Sequence, residues 1–161
     1  MRLLDRALTR FAVCVRETFG KDVMDIPGAG AAGGLGAGSI AFLGAELKRG
    51  VEIVIEAAGL AEKLDGAALV ITGEGRTDSQ TLSGKTVHGV ALLAKARSVP
   101  AIVISGSISV SDDELLKCGV IRSYALVGDG VTLTEAMRDG EKLLAERAGR
   151  AIREFKGSAE Y

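Results

Sequence analysis

The chain has 161 residues, the usual size of one domain or two small lobes, and long enough to bury a core without disulfides or metals. Hydrophobic residues make up 47% and charged residues 25%, a balance that excludes an intrinsically disordered chain. Lys and Arg total 20 against 21 for Asp and Glu, so the chain lacks the basic excess that binds nucleic acids or anionic membranes.

No apolar run approaches the roughly 20 residues that span a bilayer, and residues 1–6 lack the apolar stretch of a signal peptide. We therefore expect a soluble, cytoplasmic protein with no membrane or nucleic-acid partner. The two cysteines, Cys14 and Cys118, are expected to be buried and not disulfide-bonded, because both lie in apolar helical contexts. The single histidine, His88, cannot form a multi-histidine metal site.

The N-terminal third of the sequence predicts helices joined by a glycine-rich loop. Apolar residues at helical spacing predict a helix over residues 2–19, ended by Gly20. Glycine occupies six of the eleven positions from 28 to 38, which indicates a loop that leads into a closely packed helix. Residues 51–58 fit a strand or a helix, and we favour a helix that continues to Leu64.

The remaining residues alternate between strand and helix patterns. The predicted strands are 67–72, expected to be buried on both faces, then 101–104 and 121–127, with a helix over 84–97 after the first of them. Because strands alternate with helices, the fold class is α/β with a parallel sheet.

Two capping boxes predict where the last helices begin. One starts at Ser111, and its helix ends at Gly119; the other starts at Thr132 and heads a final helix. That final helix is expected to carry one apolar stripe: Leu133, Ala136, Met137, Leu144, Ala148, Ile152 and Phe155.

Ligands of parallel α/β sheets bind beyond the carboxyl ends of the strands. This rule selects three loops, at residues 73–78, 105–107 and 128–130. The first of these is the richest in chemistry, because Glu74, Arg76 and Asp78 follow a buried strand. Carboxylates bind hard divalent cations or accept a proton from a hydroxyl, and a guanidinium binds a carboxylate or phosphate. The alternative is a solvated turn in which Arg76 pairs locally with Asp78.

Two glycine motifs resemble nucleotide-binding loops. Residues 28–33 match the dinucleotide fingerprint in letters, but the preceding segment ends in Pro27 and does not read as a buried strand. Close packing or an anion-binding cluster of amides are the alternatives for these glycines. Gly84 and Lys85 open a helix as in a P-loop, but Ser79 stands where that motif requires glycine. Lys85 remains a candidate phosphate contact, or else a surface lysine.

The sequence closely resembles the type I glycerate kinases. The resemblance rests on residues 25–37, residues 69–81, the Gly84-Lys85 pair and residues 105–107, in matching order and spacing. It implies transfer of the ATP γ-phosphoryl group to a hydroxyl of D-glycerate, with Mg²⁺ as cofactor. It also implies a three-layer, Rossmann-like (flavodoxin-like) parallel sheet. In the full-length family enzyme, both ends of the chain build this lobe, and a second lobe is inserted in the middle of the sequence.

On this resemblance, residues 1–62 correspond to the end of the inserted lobe and 63–161 to the C-terminal part of the Rossmann-like lobe. The expected catalytic residues are Glu74, Arg76, Asp78 and Lys85, with Glu74 and Asp78 as metal ligands or one of them as base. The expected substrate- or phosphate-binding residues are Gly28, Gly30, Gly33, Gly34, Gly73, Gly75, Gln80, Gly84, Ser105, Gly106 and Ser107.

Two departures from the family pattern shape the functional hypotheses. Family members are more than twice as long, so we expect a C-terminal portion that is inactive or weakly active alone and that forms a homo-oligomer or pairs with a missing N-terminal half. The residues after Gly84-Lys85 are Thr86, Val87 and His88, where the family usually has a proline. The alternative function is a catalytically silent α/β module for oligomerisation or binding, derived from the same family.

Overall fold

The computed structural model describes residues 2–158 and divides into two compact units between Arg49 and Gly50. The first unit contains two helices, α1 (Arg2–Phe19) and α2 (Ala31–Leu43). The predicted helix over residues 2–19 is therefore confirmed, and Gly20, with φ of +67°, follows its last residue. A small core joins the two helices and the loop between them: Ala12, Val15, Val23, Ala29, Ala37 and Ala41.

The glycine-rich segment packs closely against itself. Ala32, Gly33 and Gly34 have left-handed backbone angles, so α2 becomes regular only after Gly34. A Cβ atom on Gly36 would lie 2.7 Å from the carbonyl oxygen of Gly28. Close packing, one of the two alternatives for these glycines, is therefore present at Gly36.

The second unit is α/β, as the alternating pattern predicts. Its helices are α3 (Gly50–Ala57), α4 (Leu60–Lys63), α5 (Thr86–Ala96), α6 (Asp112–Lys117), α7 (Leu133–Arg138) and α8 (Gly140–Ser158). Its strands are β1 (Val70–Thr72), β2 (Arg76–Thr77), β3 (Ala101–Ser105), β4 (Ser107–Ile108) and β5 (Val120–Ala125). Strands β1, β3 and β5 form a parallel sheet in that order, and β2 pairs in parallel with β4 in a second, two-stranded sheet.

The central strand β3 has all of its residues buried, because helices cover both faces of the sheet. Ala101 and Val103 pack with α5 and α6 on one face. Ile102 and Ile104 belong to a second cluster, with residues of α7 and α8, on the other face. This alternation produces the three layers expected of a Rossmann-like sheet.

Both capping boxes are present in the structure. The hydroxyl of Ser111 accepts a hydrogen bond from the Glu114 amide at the start of α6, and the Glu114 carboxylate accepts one from the Ser111 amide. Thr132 and Glu135 make the same reciprocal pair at the start of α7. These local motifs could be predicted because both partners lie within four consecutive residues.

Three predictions, about strand β1, the final helix and Cys14, are wrong. Strand β1 is not buried on both faces: it pairs only with β3 in the described sheet, and Ile71 is 44% exposed. The single final helix is broken at Asp139, so its apolar residues do not form one stripe. The stripe residues left exposed are Leu133, Met137 and Leu144. Cys14 is exposed rather than buried, and both cysteines are free.

No helix within residues 2–158 is both long enough and apolar enough to cross a membrane.

The structural units divide at residue 49, and α3 packs against α5 through Val51 and Gly89. The assignment of residues 1–62 to an inserted lobe remains a prediction.

Candidate functional site

The charged turn, defined as residues 73–85, begins where β1 ends. A Cβ atom on Gly73 would collide with the carbonyl oxygen of Ile104, and one on Gly106 would lie 2.5 Å from the oxygen of Gly75. Only glycine therefore fits at these two positions without a shift of the backbone. The close approach brings the ends of β1 and β3 together, and the Gly106 amide donates to the carbonyl oxygen of Glu74 at 3.1 Å.

Three buried hydroxyl groups surround Glu74. Its Oε1 accepts hydrogen bonds from the hydroxyls of Thr81, at 2.6 Å, and Thr77, at 3.3 Å. The Oγ of Ser105 lies 2.8 Å from Oγ1 of Thr77 and accepts a bond from the Glu74 amide at 3.3 Å. Because Thr77 donates its single proton to Glu74, Ser105 is the donor to Thr77. Both of these hydrogen bonds to the Glu74 carboxylate fall on Oε1, and no described residue donates to Oε2.

Asp78 is linked to Glu74 through Thr81. The Asp78 amide donates to the Thr81 hydroxyl, which in turn donates to Glu74. The Asp78 carboxylate accepts a bond from the Gln80 amide at 2.9 Å through Oδ1, and its Oδ2 lies 3.5 Å from Nε of Arg76. The local Arg76–Asp78 pair therefore forms. The Arg76 side chain remains 68% exposed and can reach a ligand.

Lys85 and Gln80 lie at the other end of the turn, where α5 begins. Lys85 is the N-cap residue of α5 but makes no side-chain capping bond, and its ammonium group donates to the Gln80 side chain at 3.2 Å. Gly84 has φ of +105° and directs the chain from a short 3-10 helix into α5. His88, one turn further on, is partly buried, and its Nδ1 has no hydrogen-bond partner among the described residues.

Ser105, Gly106 and Ser107 bridge the end of β3 and the start of β4. The Ser107 amide donates to the Gly75 oxygen at 3.1 Å, and Arg76 pairs with Ser107 in the β2–β4 ladder. The second predicted loop therefore contacts the charged turn directly. The candidate glycines Gly28, Gly30, Gly33 and Gly34 belong to the first unit, where Gly34 contacts Leu8 and Phe11. No strand precedes Gly28 within the described residues, so the context of a dinucleotide fingerprint is missing there.

The carboxylates of the turn are two in number, which limits the kind of metal site that they could form. Within residues 2–158, no group of three or more His, Cys, Asp and Glu side chains is placed to hold a metal. Mg²⁺ commonly takes one or two carboxylates together with water and substrate phosphates. The carboxylates of Glu74 and Asp78 are oxygen donors of this kind.

Thr77 and Thr81 hydrogen-bond to the candidate residue Glu74, and the sequence analysis does not single them out. Both are fully buried, although threonine in a glycine-rich charged loop usually faces solvent. The one sequence feature that points to these two threonines is their spacing, since they lie three and seven residues after Glu74.

A model of the glycerate kinase family matches residues 1–156 of the chain. The chain belongs to the glycerate kinase family. A glycerate kinase of Halalkalibacterium halodurans is 49% identical over 152 residues, which cover 94% of this chain and 40% of the relative. A glycerate 2-kinase of Escherichia coli K12 is 45% identical over 135 residues, which cover 84% of this chain and 35% of the relative.

The fold agrees with this family. A crystal structure from Salmonella typhimurium LT2, assigned as glycerate kinase 2, matches with a TM-score of 0.72 and 39% identity, covering 98% of this chain and 40% of that one. The chain thus spans about 40% of the length of the glycerate kinases that it matches over most of its own length. The predicted family and the predicted partial Rossmann-like α/β sheet are confirmed.

Proposed function

We propose that the charged turn is part of the site at which a glycerate kinase transfers the γ-phosphoryl group of ATP to a hydroxyl of D-glycerate. The observation that carries this proposal is the Glu74 carboxylate, oriented by the buried hydroxyls of Thr77 and Thr81 at the carboxyl end of β1. Ligands of parallel α/β sheets bind at this end of the strands. Because ATP is the phosphoryl donor, we expect the reaction to take place in the cytoplasm.

Phosphoryl transfer depends mainly on positioning and on neutralising charge. The glycerate hydroxyl oxygen forms a bond to the γ-phosphorus as the bond to the β-phosphate oxygen breaks, and ADP leaves. The hydroxyl proton passes to a carboxylate, Glu74 or Asp78. A magnesium ion bound with ATP would neutralise charge on the phosphate oxygens, and the same two carboxylates are the residues that would hold it.

The cationic side chains of the turn fit the anionic ends of the substrates. Arg76 offers an exposed guanidinium that can bind the glycerate carboxylate in bidentate fashion. Lys85 lies at the N-terminus of α5, where free amides and the helix dipole favour phosphate. The amides of Gly73, Gly75, Gly84 and Gly106, and of Gly28, Gly30, Gly33 and Gly34 in the first unit, remain candidates for further phosphate contacts.

Calorimetric titration with Mg·ADP and with phosphoglycerate tests the role of Arg76. We expect Arg76→Ala to weaken at least one of these ligands about tenfold or more, because it removes a charge-assisted contact. The matched control is Arg138→Ala, since Arg138 is also exposed, at 70%, and also pairs with a nearby aspartate. Both variants should keep the thermal midpoint, because an exposed ion pair contributes about 1 kcal/mol or less. If the two variants bind both ligands with equal affinity, Arg76 is a solvated surface residue and does not contact either ligand.

Glu74→Gln separates the two roles of the carboxylate, because glutamine keeps an oxygen that accepts from Thr77 and Thr81. Weaker binding of Mg·ADP would identify a metal ligand. Tighter binding of phosphoglycerate would identify a carboxylate that faces the transferred phosphate. If neither affinity changes, Glu74 has no part in the site, and the silent α/β module becomes the better description of the chain.

A further inference from the structure

A cavity of about 470 Å³ lies along β5, the loop that follows it, and α8. This volume falls within the range of small-molecule sites. Its lining includes three arginines, Arg122, Arg147 and Arg150, and none of the residues of the charged turn. The three arginines differ in how many of their N–H donors are already bound.

Two of the arginines are bound to one carboxylate. Nε of Arg150 donates to Glu154 at 2.6 Å, and Nη1 of Arg122 donates to the other oxygen of Glu154 at 2.9 Å. The hydroxyl of Tyr124 donates to that same oxygen at 2.7 Å. The hydrogen bonds from Arg150 and Tyr124, together with the nearby positive charges of Arg150 and Arg122, lower the pKa of Glu154 to about 2, so it stays ionised near neutral pH. The three arginines of the lining are balanced by three carboxylates, Asp112, Asp129 and Glu154, so an anion has to be held by a particular guanidinium and not by net charge.

A hydrogen bond to the backbone fixes the guanidinium of Arg147, while most of its N–H donors remain unbound by described residues. Its side chain is only 18% exposed, and its Nε donates to the carbonyl oxygen of Ala125, the last residue of β5, at 3.1 Å. A guanidinium has five N–H donors in a fixed plane. Among the described residues, its one other polar contact is Nη2 to Asp129 at 3.8 Å, which is too long for a hydrogen bond.

Asp129 is a weak competitor for that guanidinium. It is 81% exposed and lies at the tip of a turn closed by reciprocal bonds between Gly128 and Val131. An ion pair with one partner in solvent contributes little, because water and salt screen it. An anion in the cavity can therefore replace Asp129 as the partner of Arg147.

We propose that this cavity binds a small organic anion, whose carboxylate or phosphate group is held by the fixed guanidinium of Arg147. Because Arg147 donates to the last residue of β5, the bound anion would lie at the carboxyl end of this strand, where parallel α/β sheets bind ligands. This binding does not depend on the phosphoryl-transfer chemistry proposed for the charged turn.

The test is an NMR titration with inorganic phosphate and with succinate, at constant ionic strength, following the Arg147 Nε–H signal and the amides of residues 127–130. We expect saturable shifts with at least one probe. The probe that binds more tightly shows whether a phosphate or a carboxylate is preferred. Shifts that rise linearly with concentration for both probes would overturn the proposal.

Variants separate a built site from general charge effects. Arg147→Gln should weaken the saturable binding about tenfold or more, whereas Arg153→Gln, an exposed arginine of α8 outside the cavity lining, should leave it within about twofold. Asp129→Asn, in the exposed turn, should tighten binding because it removes the competing carboxylate. Equal weakening in the two arginine variants, or unchanged affinity in Asp129→Asn, would contradict the proposal.

Discussion

Thr81 is the residue that connects the two carboxylates of the charged turn. Its buried hydroxyl donates to Glu74 and accepts from the Asp78 amide. Thr81→Val keeps the shape of the side chain but leaves that amide without its acceptor, so we expect the free energy of unfolding to fall by about 1–3 kcal/mol. Urea denaturation measures this change. The matched control is Thr134→Val, on the exposed surface of α7, which should cost about 0.5 kcal/mol or less; equal losses would show that the buried hydroxyl bonds add nothing.

At the scale of single residues, charged groups could be predicted and their neutral supports could not. Glu74, Arg76 and Asp78 stand out because they follow an apolar strand in a glycine-rich loop. The role of Thr77 depends on Ser105, which lies 28 residues away in the chain. No local pattern encodes that contact, because it exists only after β1 and β3 have paired.

Glu154 links α8 to β5, and its titration should appear in the stability of the protein. Side-chain hydrogen bonds from Arg150, first, and Tyr124 lower its pKa from 4.5 to about 2. The folded pKa lies below the unfolded one, so this contribution to stability is present above about pH 4.5 and is lost as the pH falls towards 2. We expect Glu154→Gln to flatten the pH dependence of the urea midpoint across this window. Glu146→Gln, on the same helix, is the control and should leave the slope of the wild type; an unchanged slope in Glu154→Gln would contradict the assignment.

At the scale of elements, periodicity and capping located the main helices and strands of the second unit, and tertiary contacts set the rest. The sequence pattern predicts loops where the structure has β2 and β4, because strands of two residues exist only through their pairing with each other. The final helix was predicted as one because its apolar residues continue past Asp139. In the structure, Gly140 begins a separate helix, in keeping with the low helix propensity of glycine.

The two edges of the three-stranded sheet differ in the charged groups beside them, and this difference affects whether the isolated chain self-associates. Ile71 on β1 and Ile121 on β5 are equally exposed, at 44% and 43%. The β5 edge is bordered by the charged groups of Arg122, Arg147 and Glu154, which discourage pairing with another chain. On the β1 side, the segment Leu69-Val70-Ile71 is apolar and carries no charged side chain of its own. We therefore predict that the isolated chain self-associates through β1.

Size-exclusion chromatography with light scattering tests this prediction at micromolar concentration. Ile71→Lys should lower the mean mass towards that of the monomer, whereas Ile121→Lys should not. A monodisperse monomer with cooperative unfolding in the wild type would show that the chain covers its own sheet edge.

Residue-resolved NMR can show whether the charged turn binds the phosphoryl-bearing ligands of a glycerate kinase, as we propose. Titration of the isolated chain with Mg·ADP, and separately with phosphoglycerate, should produce saturable shifts in the backbone amides of residues 73–80 and 84–86. Arg76→Ala should weaken the response to at least one of these ligands about tenfold or more, without a change of fold. Saturable shifts confined to other residues, or no shifts with either ligand, would show that the charged turn does not bind these ligands.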